Sequence, residues 1–262
     1  MAITTLDQVL AGIQPSSTFF KPSATSSAGI MQSLWYGAGY PAAGSGPSST
    51  ASALLDSTTT GAIAFTNPTS GKLSYLARLM AAAAQGGTLI VYDRQAHYGF
   101  ASNATATVSM SGPVTVSGQR SGAGEIWIET AAAGAAGTKA VTCSYTNQAG
   151  TTGRTSVSLS IAASPPQYSM FRLPFQSGDT GALSIASVTI GTSALTSSGT
   201  SNAIIMRRLA EIQVPSAGVG NVLDALGCGL PRIYDSSCLA LMWMPAASTT
   251  GDLHGSFSVA QG

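Results

Sequence analysis

Much of this chain alternates an apolar side chain with a hydroxyl, and Gly or Pro breaks the pattern at short intervals. In Thr138-Lys-Ala-Val-Thr-Cys-Ser-Tyr145, the residues Val141, Cys143 and Tyr145 fall on one side. In Thr155-Ser-Val-Ser-Leu-Ser-Ile161, Val157, Leu159 and Ile161 share a side, and Ser156, Ser158 and Ser160 face the other way. A period of two belongs to a strand with one buried face. The polar loop between the two runs, Thr146 to Arg154, carries two glycines, so the pair reads as a β-hairpin.

Residues 105–110, 124–130, 183–190 and 253–259 alternate in the same way, and 62–65 and 170–175 read as further short strands. The stretch from Cys238 to Met244 is apolar throughout and reads as a strand buried on both faces. Lys72 to Gln85 is ambiguous. Its Leu and Ala residues are good helix formers, yet it also alternates and runs through Gln85-Gly-Gly-Thr88 into the strand Thr88 to Asp93. The turn and the neighbouring strand favour a β-hairpin there.

About ten strands with little helix predict an all-β fold, a β-sandwich or jelly-roll-like core. A short N-terminal helix is expected, capped by Thr4 or Thr5, with Asp7 in its first turn and Leu6, Val9, Leu10 and Ile13 on its apolar face. A second short helix is expected near residues 219–227. From Gln14 to about Thr60 the chain is rich in Ser, Gly, Pro and Ala, but carries Phe19, Phe20, Trp35, Tyr36 and Tyr40. So many rings predict an extended arm that docks them on its own domain or on a neighbouring subunit. A loop-rich edge of one compact domain is the alternative. The division expected is therefore 1–60, helix and arm, and 61–262, the β-sandwich core.

Charged residues make up only 8% of the chain, with 11 basic and 10 acidic residues and a net charge of +1. Soluble domains average ~25%. This balance does not steer the chain to nucleic acid or an anionic membrane. It leaves little repulsion between copies, which suits a protein that works assembled. The opening residues lack a basic, apolar leader, so synthesis in a cytoplasm is expected. Cys143, Cys228 and Cys238 are an odd set, read as small buried hydrophobes. A Cys228–Cys238 bridge stays open.

Candidate chemistry is thin. His97 reads as a loop residue just past a strand end, and His254 as a solvent-facing strand residue. Glu125 and Glu129 share a strand face at a separation of roughly 13 Å, too far for a glycosidase pair, and read as solvated. No metal, cofactor or catalytic set is expected. Arg207 and Arg208 point to opposite faces, so at least one is expected at an interface, on a sheet surface or in a buried pair. Tyr92 to Tyr98 and Tyr234-Asp235 are the weaker candidates for a glycan contact.

Several turns and strand ends form a recognisable set. They are Leu6-Asp-Gln-Val-Leu-Ala-Gly12, Phe-Thr-Asn-Pro at 65–68, Gly87-Thr-Leu-Ile-Val-Tyr-Asp-Arg94 and Tyr145-Thr-Asn-Gln-Ala-Gly-Thr-Thr-Gly-Arg154. Phe175-Gln-Ser-Gly-Asp-Thr-Gly181, Leu230-Pro-Arg-Ile-Tyr-Asp235 and Val259-Ala-Gln-Gly262 complete it. The set resembles virion structural proteins of tailed bacteriophages. The resemblance implies a non-enzymatic capsid decoration (cement) protein or another accessory head or tail component. Its partners would be copies of itself, a trimer foremost, and the major capsid protein, and its location the virion. A tail, neck or fibre component touching a host receptor or glycan is the alternative. The interface residues expected are Phe19, Phe20, Trp35, Tyr36, Tyr40, Arg207 and Arg208.

Overall fold

The computed structural model describes residues 3–24, 27–48, 50–69, 71–120 and 124–262. Of the expected arm, Thr25, Ser26 and Ser49 lie outside these residues, as does the opening Met1. The described residues form seventeen strands and two short α-helices, an all-β fold built on antiparallel ladders.

The chain divides into two compact units. One comprises residues 1–45, 56–93 and 208–262, and the other residues 46–55 and 94–207. Two 15-residue strands, Gly87–Ala101 and Thr200–Val214, contribute residues to both. In the first unit a sheet runs in the order Ser17–Ala24, Gly251–Gln261, Ser74–Ala83, Asn221–Leu223. Its inner residues Leu76, Leu79, Phe257 and Val259 pack with Leu89, Val91, Ile212, Leu241 and Trp243 of the opposing layer. In the second unit a sheet runs Leu159–Ile161, Lys139–Asn147, Ala182–Gly191, Ala106–Ser109. Its Val141, Cys143, Tyr145, Ile185 and Val188 pack on Ala96, Tyr98, Ile126, Ile128, Ala203 and Ile205. Each unit is thus a two-layered β-sandwich with its own core.

That arrangement changes the expected division at residue 60. Phe19, Leu34 and Trp35, from the predicted arm, are core members of the first unit, and Ser17–Ala24 is one of its strands. Gly46–Leu55 belongs to the second unit instead. Truncation at residue 60 would therefore remove core from one sandwich and a strand from the other.

The Lys139 to Ile161 hairpin forms as expected, with Ser144 opposite Thr155 and Val141 opposite Leu159. The register slips by one residue between those pairs. A one-residue slip exchanges the two faces. Ser156 therefore turns inward and accepts a hydrogen bond from the Cys143 amide at 2.9 Å, while Val157 is exposed.

Three other expectations are corrected. Ser74–Ala83 is a strand, yet it pairs with Gly251–Gln261 and Asn221–Leu223 and lies in a different sheet from Gly87–Ala101. The Gln85-Gly86 turn thus carries the chain from one sheet to the other and closes no hairpin. Helix propensity loses here because both edges of the strand are paired in ladders. Residues 62–65 form no strand, although Ile63 is buried and its amide donates to Leu239 O at 2.8 Å. The second helix is confined to Ala225–Cys228, capped by Asp224 and ended by Gly229 in the left-handed region. Residues Asn221–Leu223 are a strand opposite Leu79–Ala81.

The first helix, Leu6–Gly12, carries the expected cap. Thr5 accepts from the Gln8 amide, and the Gln8 side chain returns to the Thr5 amide, completing a capping box. Only Val9 of its four apolar positions is buried, and Leu6, Leu10 and Ile13 remain exposed. Gly12 lets the helix approach the last strand, since a Cβ there would lie 2.3 Å from Gln261 O.

Candidate functional site

One accessible surface of the first unit is the outer face of the sheet that runs from Ser17–Ala24 to Asn221–Leu223. Cross-strand register places Phe20 beside His254, and His254 beside Ala82. The next row runs Thr18, Ser256, Met80, Val222. Tyr40 joins this face through reciprocal backbone bonds with Phe20, both 2.7 Å. Phe20 is 44% exposed and Tyr40 49%. The close approach requires Gly39: its φ is +117°, and a Cβ there would sit 2.1 Å from Phe20 O.

Beneath the face, alternation turns Lys21 inward. Its ammonium donates to Gly37 O and Pro41 O, both at 2.8 Å, and burial lowers its pKa to about 8. The five predicted interface aromatics thus separate. Phe19 and Trp35 are corrected to core residues, Tyr36 is half-buried, and Phe20 and Tyr40 are outside. Strand parity separates Phe19 from Phe20. Trp35 is inside because its indole N–H donates to Ser45 O at 3.0 Å and its ring lies against Gly44 and Gly61. Arg207 is half-buried and Arg208 exposed on opposite faces of their strand, and both hold partners.

A second apolar surface escaped the sequence reading as a site. Ile3, Leu6, Val9, Ala225, Leu226 and Leu230 line a groove of about 230 Å³, and Leu226 is 86% exposed. The signal available was the unburied half of the amphipathic first helix. In the second unit, the outer strand Ala106–Ser109 is largely exposed and uncharged, and Thr107 hydrogen-bonds Thr189 through their hydroxyls at 2.9 Å.

Several charged residues are interior. Lys21, Asp93, Arg94, Glu129 and Lys139, five of the 21 in the chain, are buried. Glu129 was expected to be solvated, but its carboxylate accepts both Arg94 terminal nitrogens, at 2.8 and 2.7 Å, and Asn202 Nδ2 at 3.1 Å. Glu125 takes Arg172 at 3.1 Å and the Trp127 indole N–H at 2.9 Å. Asp93 is held by the Ser237 hydroxyl and the Cys238 amide, at 3.1 and 2.9 Å.

Asp179 accepts from Arg154, Tyr145 and Asn147, at 2.9, 2.6 and 2.7 Å. These bonds, Arg154 first, hold its carboxyl at about 2, while burial and Asp179 push the Tyr145 phenol up to about 12. Two of the sequence motifs, 145–154 and 175–181, are therefore the two halves of one polar clasp. It is reinforced where Gln148 accepts from the Thr180 and Gly181 amides.

Tyr92 to Tyr98 lies wholly inside, so that stretch presents nothing to a glycan. His97 is likewise corrected from a loop to a buried strand position. Tyr234 is half-buried beneath the Arg232 guanidinium, 5.1 Å from the ring centre, and Asp235 is exposed. His254 faces solvent as expected, 3.4 Å from Asp252. The three cysteines are free and buried. Burial raises the thiol pKa of Cys143 and Cys228, the latter to about 11. We expect no reaction of the folded chain with a thiol reagent at pH 8 and rapid reaction of all three in denaturant, read by absorbance. Fast labelling of the native protein would contradict this burial.

No family model and no curated protein matches the chain. A mutant VP2 of infectious bursal disease virus in T=1 particles shows 9% identity over 99% of this chain and 79% of that one, with a TM-score of 0.19. The VP2 subviral particle of the same virus shows 10% identity over 98% and 83%, with a TM-score of 0.19. These weak neighbours are viral capsid proteins. A TM-score this low describes no common fold, and the reading below rests on the chain's own surface.

Proposed function

We propose that this chain is a non-enzymatic virion structural protein of a tailed bacteriophage. It binds the capsid shell as a decoration or cement protein and acts as a closed oligomer, a trimer foremost, with the major capsid protein as its partner. One observation carries the reading: the chain has few charges and buries several of them, while its outer sheet face and outer strand offer mostly hydroxyls, Phe20, Tyr40 and Val222, with Arg78 an exposed cation on that face. Free-standing β proteins protect exposed strands and edges with charge. Here that protection is sparse, as it should be if neighbouring subunits cover the surface. A face with few ions also associates with little desolvation cost.

The test introduces charge into the accessible face. Phe20→Glu with Tyr40→Lys should change stability by no more than ~0.5 kcal/mol per site, because both residues are exposed. The same pair should weaken self-association and shell binding by at least roughly tenfold, read by sedimentation and by co-pelleting with undecorated shells. A wild-type chain that stays monomeric and leaves shells bare would overturn the proposal. Copy number separates shell from tail: decoration requires many copies per particle, and a tail or neck part only one ring.

A further inference from the structure

His97 lies in the Gly87–Ala101 strand, 5% exposed, and its Nδ1 has no hydrogen-bond partner among the described residues. A short edge strand runs alongside, with Ser52 opposite Tyr98, Ala53 opposite His97 and Leu54 opposite Ala96. At Gly99 the same segment closes over the backbone, since a Cβ there would lie 2.2 Å from Ser48 O. Beyond the ladder itself, Thr50 N donates to Gly99 O at 3.0 Å, Gly99 N to Ala51 O at 2.8 Å and Leu55 N to Gln95 O at 3.0 Å, and on the other side Ser111 N donates to Thr50 O at 2.9 Å and the Ser52 hydroxyl bonds Gly112 O and Val114 N.

The carboxylates of the neighbouring strands are already committed to other donors. The ring's own strand supplies Arg94 to this unit. The strand Glu125–Thr130 supplies Glu129, whose two oxygens already serve Arg94 and Asn202, and Glu125, which serves Arg172 and Trp127. The strand Thr200–Val214 contributes Arg207 to this unit, and Arg120 donates to Leu55 O and Arg94 O. The segment Gly46–Leu55 has no charged residue.

We propose that His97 is an acid-operated latch on Gly46–Leu55: its protonation is accommodated by the segment leaving the strand edge and admitting water to the ring. A buried imidazolium without an acceptor is costly, and the segment is short, lies at an edge and, apart from Leu55, is exposed or half-buried along its described residues, the kind of element that opens locally.

The direction with pH follows from linkage. Burial foremost, then Arg94, lowers the His97 pKa to about 3, with Glu129 opposing. The opened form therefore binds the extra proton between pH ~6.5 and that value, and the closed form loses ground as pH falls. Asp179, held at about 2, stays ionised above pH 5, and the other histidine, His254, belongs to the first unit, so a change confined to this segment reports His97.

Hydrogen exchange of the full chain at pH 7, 6 and 5, corrected for intrinsic rates, tests the latch. Protection of the Thr50, Leu55 and Gly99 amides should fall about threefold from pH 7 to 6 and nearly tenfold from 6 to 5, while the ladder between Leu239–Pro245 and Gly87–Asp93 stays unchanged. His97→Gln and His97→Leu should abolish the fall. Should neither variant fold, the wild-type localisation decides by itself. Unchanged protection at these amides down to pH 5, an equal loss in both units, or a fall that persists in either folded variant would overturn the proposal.

Discussion

Glu129→Ala is expected to cost about 3–5 kcal/mol of stability, because it leaves the Arg94 guanidinium uncompensated in a site neither residue shares with solvent. The carboxylate cannot be replaced by a neighbour: Asn202 offers its amide nitrogen to the same oxygen, so removing the acceptor strands two donors. The pair itself contributes far less than this figure. Desolvating two ions largely cancels their attraction, and apolar replacement of both is often neutral or stabilising. The double variant Arg94→Met, Glu129→Leu should therefore recover most of the loss. Urea unfolding followed by the fluorescence of Trp127, on the same strand as Glu129, would measure both. A single-variant loss below ~1 kcal/mol would show that the pair is hydrated in solution.

Trp35→Ala should cost a further ~3–5 kcal/mol in the first unit, the range for emptying a large aromatic site. The indole is fully enclosed, and two glycines form its walls. A Cβ at Gly44 would come within 2.2 Å of the ring, and Gly61 holds φ at +102°, where a Cβ would lie 3.1 Å from the ring. Gly44→Ala is therefore expected to destabilise as well, by overpacking. Phe20→Ala and Tyr40→Ala, from the same segment, should stay within ~1 kcal/mol because half of each ring is already in water. Thermal melts of the four variants give the contrast directly. Equal losses at Trp35 and Phe20 would return the segment to a docked arm with no division into core and surface residues.

The legible part of this molecule is local. Val141, Cys143 and Tyr145 face inward because parity along a strand is a covalent property, and Thr5 and Gln8 cap the first helix because they are three residues apart. Legibility fails once a side chain's surroundings come from distant sequence. Ser156 and Val157 exchange faces because of a register slip against Lys139–Asn147. Leu6 and Leu10 have the pattern of a buried helical stripe, yet of that stripe only Val9 is buried. Residues 81–84 are all alanine, good helix formers, yet ladders with Gly251–Gln261 on one edge and Asn221–Leu223 on the other hold Ser74–Ala83 as a strand. The exposed pair of Phe20 and Tyr40 was half legible, since the rings were conspicuous but their separation from Phe19 and Trp35 was not.

The sequence by itself determined that the chain is all-β, where most strands lie, and that its surface is poor in charge, since periodicity and composition need no partner. Only the tertiary structure decided that there are two sandwich cores, that Glu129 and His97 are interior, and which aromatics reach solvent. Arg94 and Glu129 are 35 residues apart and Asp93 and Cys238 are 145 apart, and no local preference encodes such meetings. They are set by which sheet faces bury the most apolar surface against each other, a property of the whole packed chain.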